Sequence, residues 1–424
     1  MLRKLMIRTL MASLAFAAVA IFNSSAKAAT IVLEGTITKK KTKLKAQNTY
    51  VLVGAVVITR RLIIKPGTTI FGTEGSFLVI DRGATIIAEG TPDAPIVFTS
   101  INDPGRRARG DWGGLILNGR APVNIPGGEG IGEGGTGTYG GTDPADSSGL
   151  MKYVRVEYGG FALSPDNELN CLAFQGVGSG TEIDFVQAFG GGDDAFEWFG
   201  GTANGKHLVA AGEDDDGLDW TFGWTGKVQF AVVQKRPDLA DTGIEADSNE
   251  FGHDNLPRSS PRMANITLVG APQPGPGSRQ GMILRRGTAG DLRNFIVTGF
   301  KNLGIEVRDS ATFTQLDNGN LKLSGFIFFN NGNGLATPAN FNGNTAAMLA
   351  AKGTNVVQLD PQLRDPFNVI MPDFRPQAGS PALDPANIAA GFANDAFFVT
   401  ANYIGAFDAN TDWTLGWTKW AFGQ

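Results

Sequence analysis

Short apolar runs, separated by glycine, asparagine and aspartate, recur along most of the chain. Examples are KYVRVEYGG from Lys152, IDFVQAFGG from Ile183, VQFAVVQK from Val228 and LRNFIVTGF from Leu292. Each run has the length of a strand, is rich in β-branched or aromatic residues, and ends at a turn residue. Helical periodicity is almost absent, so the pattern predicts an all-β protein.

Two of the intervening segments share a pattern that reveals a repeat. DDAFEW, from Asp193, matches DDGLDW, from Asp215, with an offset of 22 residues at every position. A period of this size is typical of repeat architectures, and two or three short strands per repeat without a helix indicate a coil of parallel strands. We therefore predict a single-stranded right-handed parallel β-helix, a solenoid. A propeller would need four antiparallel strands in some forty residues, and a sandwich would not generate such a repeat.

The N-terminal residues have the pattern of a secretory signal peptide. Basic residues at positions 3, 4 and 8 precede an apolar run from Leu10 to Phe22, and Ala26-Lys27-Ala28 forms a small-x-small cleavage site. The apolar run is too short to span a membrane, and no transmembrane segment is predicted in the mature chain. We expect a signal peptide at 1–28 and a β-helix domain at 29–424, exported to the periplasm, the outer surface or the exterior.

Two parts of the domain are predicted to decorate the coil. Residues 102–149 are rich in glycine and are predicted to form a long loop, which in a compact domain is either functional or disordered. Residues 370–424 are predicted to form a C-terminal cap that covers the last turn and its open edge.

Several longer motifs resemble those of a known family. DWGGLILNGRAPVN, DDAFEWFGGT, GMILRRGTAG, PDFRPQAGSPALD and YIGAFD are similar to segments of exported β-helix proteins of Gram-negative bacteria. The resemblance covers nearly the whole mature chain and implies the fold and export, but no activity. The fold in turn resembles that of pectin-degrading lyases and hydrolases, which is an analogy of fold alone.

Charge and composition narrow the classes of partner. The chain has 36 basic and 41 acidic residues and a net charge of −5, which argues against nucleic acid and favours cations, polysaccharides or a cell-surface partner. The single cysteine, Cys171, excludes an internal disulfide and is expected to be an inert core residue. Two histidines argue against a zinc enzyme. The five lysines at 39–45 are expected to lie on a solvated edge strand, with a surface-anchoring patch as the alternative.

The repeat also stacks acidic side chains. If one repeat is one turn of the coil, matched residues lie about 4.8 Å apart, and Asp241 and Glu245 supply a third layer. Two carboxylates about 5 Å apart repel by roughly 3 kcal/mol at an effective dielectric near 20. Calcium, which takes six to eight oxygen ligands, would relieve this repulsion. The predicted Ca²⁺ ligands are Asp193, Asp194, Glu197, Asp215, Asp216, Asp219 and Glu245. The alternative is that these residues satisfy backbone N–H groups at tight turns.

The tryptophans beside these acids have two interpretations, packing in the core or stacking against sugar rings. Acid and tryptophan are adjacent in sequence, so on a strand they point to opposite faces. We expect the acids to face outward and Trp198 and Trp220 to face inward. Trp112 and Trp224 are the predicted exposed platforms for a glycan.

An enzyme that degrades polysaccharides is the alternative to a non-catalytic, Ca²⁺-binding protein. An inverting, polygalacturonase-like hydrolase would use Asp194, Asp215, Asp216, His253 and Arg285, although the Asn-Thr-Asp motif is missing and Asp follows His253. A Ca²⁺-dependent lyase would need an unpaired arginine as its base, and Arg285, Arg286 and Arg308 are the candidates. The first two could instead pair with the acidic layers.

Overall fold

The protein is a right-handed parallel β-helix, as predicted. The computed structural model describes residues 28–164, 167–238, 241–271, 279–332 and 352–423, and the predicted signal peptide up to residue 27 lies outside them. In these residues 23 strands join into one continuous sheet that is wound into a coil, and its strands pair in parallel. Strands inside the coil pair with strands one turn earlier and one turn later, which gives the stacking that the repeat requires.

The strands and the helix follow one another in a fixed order along the coil. The first turns contain β1 (Thr30–Ile37), β2 (Lys41–Leu44), β3 (Thr49–Ile58), β4 (Arg61–Ile64), β5 (Thr69–Gly72), β6 (Phe77–Ile80), β7 (Thr85–Glu89), β8 (Ile96–Ser100) and β9 (Gly114–Asn118). Next come the hairpin β10 (Glu129–Ile131) and β11 (Thr138–Gly140), the long strand β12 (Gly149–Glu157), and the hairpin β13 (Ala162–Ser164) and β14 (Asn167–Glu168). The later turns contain β15 (Leu172–Gln175), β16 (Glu182–Phe189), β17 (Phe196–Phe199), β18 (Asn204–Ala211), β19 (Leu218–Thr221), β20 (Lys227–Gln234), β21 (Ile244–Ala246), β22 (Arg262–Val269), β23 (Met282–Leu284), β24 (Gly290–Thr298) and β25 (Glu306–Val307). The chain ends with α1 (Ser310–Asp317), β26 (Leu321–Phe329), β27 (Thr354–Val357), β28 (Leu363–Asp365) and β29 (Asp373–Pro376).

From β12 onward, long strands alternate with short ones, and the long strands bend in the middle. Tyr153, Phe185 and His207 occupy the bend in three successive turns, with φ of 49°, 54° and 48°. A bulky residue rarely adopts a positive φ, because its Cβ crowds the backbone. Stacking of the side chains offsets this cost: the ring centroids of Tyr153 and Phe185 are 4.6 Å apart, and those of Phe185 and His207 are 4.1 Å apart.

The interior of the coil is one continuous apolar core that includes four tryptophans. Trp198 and Trp220 face inward as predicted and are at most 1% exposed. The prediction that Trp112 and Trp224 are exposed stacking platforms is wrong, because both are 0% exposed. Their indole N–H groups donate to backbone carbonyls at 2.8 and 3.1 Å, so neither ring can meet a glycan. Trp112 fills space that glycine leaves open, since a Cβ at Gly72 would lie 2.6 Å from its ring.

The two decorating segments differ from their predicted form. Residues 102–149 are not one loop, because β9 lies within them and pairs with β6 and β15 in the coil. The part that leaves the coil after β9, residues 119–148, is named the excursion below. The C-terminal segment was predicted to cover the last turn, but it runs along the side of the coil. It meets turns as far back as β12, where Arg155 donates to the carbonyl of Trp417 at 3.0 Å.

Among the described residues, no helix is long and apolar enough to cross a membrane.

Candidate metal centre

The strand register places the matched acids of the repeat directly above one another. In the pairing of β17 with β19, Glu197 lies opposite Asp219 and Trp198 lies opposite Trp220. In the next pairing, Asp219 lies opposite Glu245. The second step along the chain is slightly longer than the first, yet the register is kept, and the predicted third layer is confirmed.

The stacked acids form three columns on the outside of the coil. One column lies on the short strands, and the other two lie in the turn immediately before them, where successive turns are joined by backbone hydrogen bonds such as Ala195 N to Asp216 O at 2.9 Å. We call this array the acidic grid. Its members are Asp193, Asp215 and Asp241, then Asp194 and Asp216, then Glu197, Asp219 and Glu245.

On the outer face of the short strands, buried apolar residues on the earlier turns give way to acids on the later turns. On the turns before the grid, the positions in register with Glu197 are Ala173 and Ile116, which face out of the coil but are buried. Both pack in a small cluster with Tyr139 of the excursion. The excursion thus covers the apolar part of this face and leaves the acidic part beside its edge.

Two groups that were not predicted as site residues, Asn170 of the coil and Glu133 of the excursion, also reach the grid. Asn170 donates from Nδ2 to Oε2 of Glu197 at 2.5 Å and to Oε2 of Glu133 at 3.3 Å. Glu133 comes from the excursion, which has no repeat, so no periodic signal could have identified it. Asn170 could have been found, because it precedes Leu172 by two residues as Asp194 precedes Phe196, and Leu172 and Phe196 are in register.

The carboxylates of the grid are close enough to share a cation. Three groups each have carboxylate oxygens that all lie within 4.8 Å of one another. The groups are Asp193 with Asp194 and Asp215, Asp194 with Glu197 and Asp219, and Asp216 with Asp219 and Glu245. Asp194 and Asp219 each belong to two groups, so the array is continuous across the three turns.

Arginines neutralise the third turn of the grid but not the first two. Arg285 binds Glu245 and lies 2.8 Å from Asp247, and Arg286 lies 2.7 Å from Asp247. Arg279 lies 3.1 Å from Asp241. These arginines therefore pair with the acidic layers, which was the alternative to a role as base. In the part of the chain that the structure describes, no ion pair reaches the six acids of the first two turns.

Some of these acids also accept hydrogen bonds from backbone N–H groups at turns, which was the alternative interpretation of the sequence. Oδ1 of Asp194 accepts a hydrogen bond from the backbone N–H of Asp216 at 2.8 Å, and Oδ1 of Asp216 accepts one from Thr242 at 2.8 Å. In each of these two carboxylates, the other oxygen, Oδ2, takes no part in these hydrogen bonds. Two other oxygens, Oδ1 of Asp219 and Oδ1 of Asn170, are buried and accept no hydrogen bond from the described residues. Such atoms are costly unless they have a partner.

The environment opposes ionisation of these acids. Burial, with a smaller contribution from Glu168, raises the pKa of Glu133 from 4.5 to about 7, although the hydrogen bond from Asn170 opposes it. Burial also raises the pKa of Glu245 to about 7, against the opposing effect of Arg285. For Asp194 and Asp219, burial and then neighbouring carboxylates raise the pKa well above its usual range. A cation within the grid would reverse this balance.

Of the residues proposed for catalysis, Asp194, Asp215 and Asp216 belong to the acidic grid, and Arg285 pairs with Glu245 on its third turn. The hydrogen bond that the described residues form with His253 reaches its backbone carbonyl, from Arg258 at 2.7 Å. Arg285 is held by two acids, and Arg308 is held by Glu306 at 2.7 Å. Asp194 and Asp215 belong to one group of carboxylate oxygens within 4.8 Å of one another, which is a shorter separation than the roughly 6.5–9.5 Å of inverting hydrolysis.

The fold and this site define a parallel β-helix protein with a dense array of carboxylates on one side. A family model described as a pectate-lyase-like β-helix domain matches residues 35–358, and the chain belongs to this family. No curated protein and no solved structure matches the chain.

Proposed function

We propose that this protein is an exported, non-catalytic β-helix protein that binds Ca²⁺ through the acidic grid. Its role is the recognition of a polysaccharide or of a cell-surface partner. The observation that carries the proposal is the set of six acids on the first two turns, which form no ion pair among the described residues and which include a buried oxygen of Asp219 that accepts no hydrogen bond from them. The family description supports the link to polysaccharides, and the N-terminal sequence supports export.

The spacing of the oxygens fits calcium. Calcium binds six to eight oxygens at about 2.4 Å, so two ligands on opposite sides of one ion are about 4.8 Å apart. The carboxylate oxygens of each group all lie within 4.8 Å of one another, which is close enough for them to bind one calcium ion together. The donors are oxygens alone, and magnesium would require a smaller octahedral shell at about 2.1 Å. Because the groups share Asp194 and Asp219, the grid has room for neighbouring ions rather than a single one.

Thermal unfolding tests the calcium site. We expect Ca²⁺ at about one hundred times its dissociation constant to stabilise the folded protein by about 2.7 kcal/mol, which raises the midpoint of unfolding. The substitution Asp219→Asn should remove most of this shift, because Asp219 belongs to two of the three groups. Asp93→Asn is the matched control, because Asp93 is exposed and lies outside the grid.

Three results of this experiment would contradict the proposal or the choice of ion. A midpoint that does not move with Ca²⁺ would contradict the proposal, as would an equal shift in both variants. A larger shift with Mg²⁺ than with Ca²⁺ would keep the metal site but contradict the choice of ion. Calorimetric titration of the same variants would give the number of ions bound.

Incubation with polygalacturonate separates binding from catalysis. We expect neither new reducing ends nor unsaturated products, because the candidate bases Arg285 and Arg308 are both paired with acids. The assay measures reducing sugar and ultraviolet absorbance, with and without Ca²⁺. Turnover that Asp216→Asn abolishes would overturn the non-catalytic assignment and identify the grid as an active site.

A further inference from the structure

The first two turns of the coil carry a concentrated positive charge. Residues 38–67 contain eight basic side chains and no acid, although the whole chain has a net charge of −5. Strand β2 pairs with β4, which places Lys41 beside Arg61. The backbone N–H of Lys65 donates to the carbonyl of Leu44, so Lys65 lies beside Lys45. We call this surface the basic face; it consists of Lys39, Lys40, Lys41, Lys43, Lys45, Arg60, Arg61 and Lys65.

The basic face is open to solvent and has no internal neutralisation. All eight side chains belong to exposed residues, while the intervening Leu44, Leu62 and Ile64 point into the core. No ion pair between the described residues involves any of the eight. The acids Glu89 and Asp93 follow on the third turn and form no ion pair with them. The solvated edge strand predicted for the lysines is therefore present, and a second basic strand lies beside it.

This arrangement differs from the way the coil treats its other cations. On later turns arginines pair with the carboxylate two residues earlier in the chain, as in Arg293 with Asp291 at 2.7 Å and Arg308 with Glu306 at 2.7 Å. On the basic face, by contrast, like charges stack on neighbouring strands about 4.8 Å apart. Such a surface attracts counter-ions, and a partner with many negative charges would release them.

We propose that the basic face docks the protein on an anionic lipid surface. Six of the eight cations are lysines, which are point charges on flexible stems and suit a field of phosphates better than a fixed bidentate ligand. Clusters of four to eight basic residues on one surface are typical of proteins that bind anionic lipids. No aromatic residue of β2 or β4 is available to stack on a sugar ring, so a lipid surface is favoured over a polysaccharide. This proposal does not depend on the calcium site.

Sedimentation with lipid vesicles tests the proposal. We expect the protein to sediment with vesicles of phosphatidylcholine and phosphatidylglycerol at low salt, to be released at high salt, and to stay in solution with phosphatidylcholine alone. The triple variant Lys41→Gln, Lys43→Gln and Lys45→Gln should bind about 100-fold more weakly, which follows from the typical contribution of three lysines near an anionic membrane. The matched control, Arg106→Gln, Arg120→Gln and Lys322→Gln, removes the same charge from exposed residues elsewhere and should bind as the parent does.

Other outcomes would overturn the proposal. Equal binding to neutral vesicles, or equal loss in both triple variants, would show that this face is not the docking surface. Binding to soluble polygalacturonate but not to vesicles would assign the face to an acidic polysaccharide instead. Circular dichroism and the Ca²⁺-dependent midpoint of each variant check that folding and the acidic grid are intact, so failure here is distinguishable from failure of the calcium site.

Discussion

Replacement of Trp198 by alanine should lower the free energy of unfolding by about 3 to 5 kcal/mol. The ring is 0% exposed and stacks on Trp224 at 4.6 Å and on Phe174 at 5.5 Å between ring centroids. Alanine would leave a cavity inside a closed coil, where the paired strands above and below prevent collapse. Urea unfolding followed by far-ultraviolet circular dichroism measures the effect without relying on tryptophan fluorescence.

Two further variants serve as comparisons for Trp198→Ala. Trp198→Phe should cost much less, because it keeps an aromatic ring and removes an indole N–H that is buried without a hydrogen-bond partner among the described residues. Leu415→Ala, at a residue that is 67% exposed, should change stability by less than about 0.5 kcal/mol. A loss of under about 1 kcal/mol for Trp198→Ala would contradict the position of this ring in the core.

The sequence predicts the stacking of the acidic grid well because a coil converts sequence offset into spatial proximity. Once the offset between the two matched segments is taken as one turn, Glu197 must lie on Asp219, and alternation along the strand then sends Trp198 inward. The same argument extends to Glu245 despite the longer second step, since the register resumes after the inserted residues. The grid was therefore predictable from spacing alone.

The sequence fails where a residue belongs to no repeat. Trp112 and Trp224 lie outside the repeated pattern of acid and tryptophan, so no alternation argument sends them inward, yet each fills the coil next to a glycine or a turn. Glu133 reaches the grid from the excursion, and its place depends on packing between Tyr139 and Ala173 that no periodicity encodes. The path of the C-terminal segment depends likewise on contacts between residues far apart in sequence, such as the hydrogen bond that joins β12 to the carbonyl of Trp417.

The third turn of the grid differs from the first two because arginines neutralise its carboxylates. Arg285 and Arg286 pair with Glu245 and Asp247, while the acids on the turns of Asp193 and Asp215 form no ion pair among the described residues. Folding must therefore place these carboxylates together against their repulsion, and the cost is reduced when they hold protons or a cation. Stability of the protein should then depend on both pH and calcium in a linked way.

In the presence of a chelator, the protein should become less stable as the pH rises from 5 to 8. The folded state raises the pKa of Glu133 and Glu245 from 4.5 to about 7, mainly through burial, so it binds their protons more tightly than the unfolded state does. Stability from such groups is complete below pH 4.5 and is lost as the pH rises through 7. The expected loss is at least about 1.4 kcal/mol, the equivalent of one pKa unit in one group.

Urea unfolding at a series of pH values measures this loss, and calcium should abolish it because the ion replaces the protons within the grid. Asp219→Asn should reduce the loss in the chelated protein, since it removes one of the carboxylates that raise the pKa values of Asp194 and Glu197. Measurements are kept above pH 5 because Arg375 lowers the pKa of Asp373, and protonation of that carboxyl destabilises the fold at more acidic pH. Stability that rises from pH 5 to pH 8 without calcium would show that the grid is not held against its own repulsion, and the calcium site would lose its physical basis.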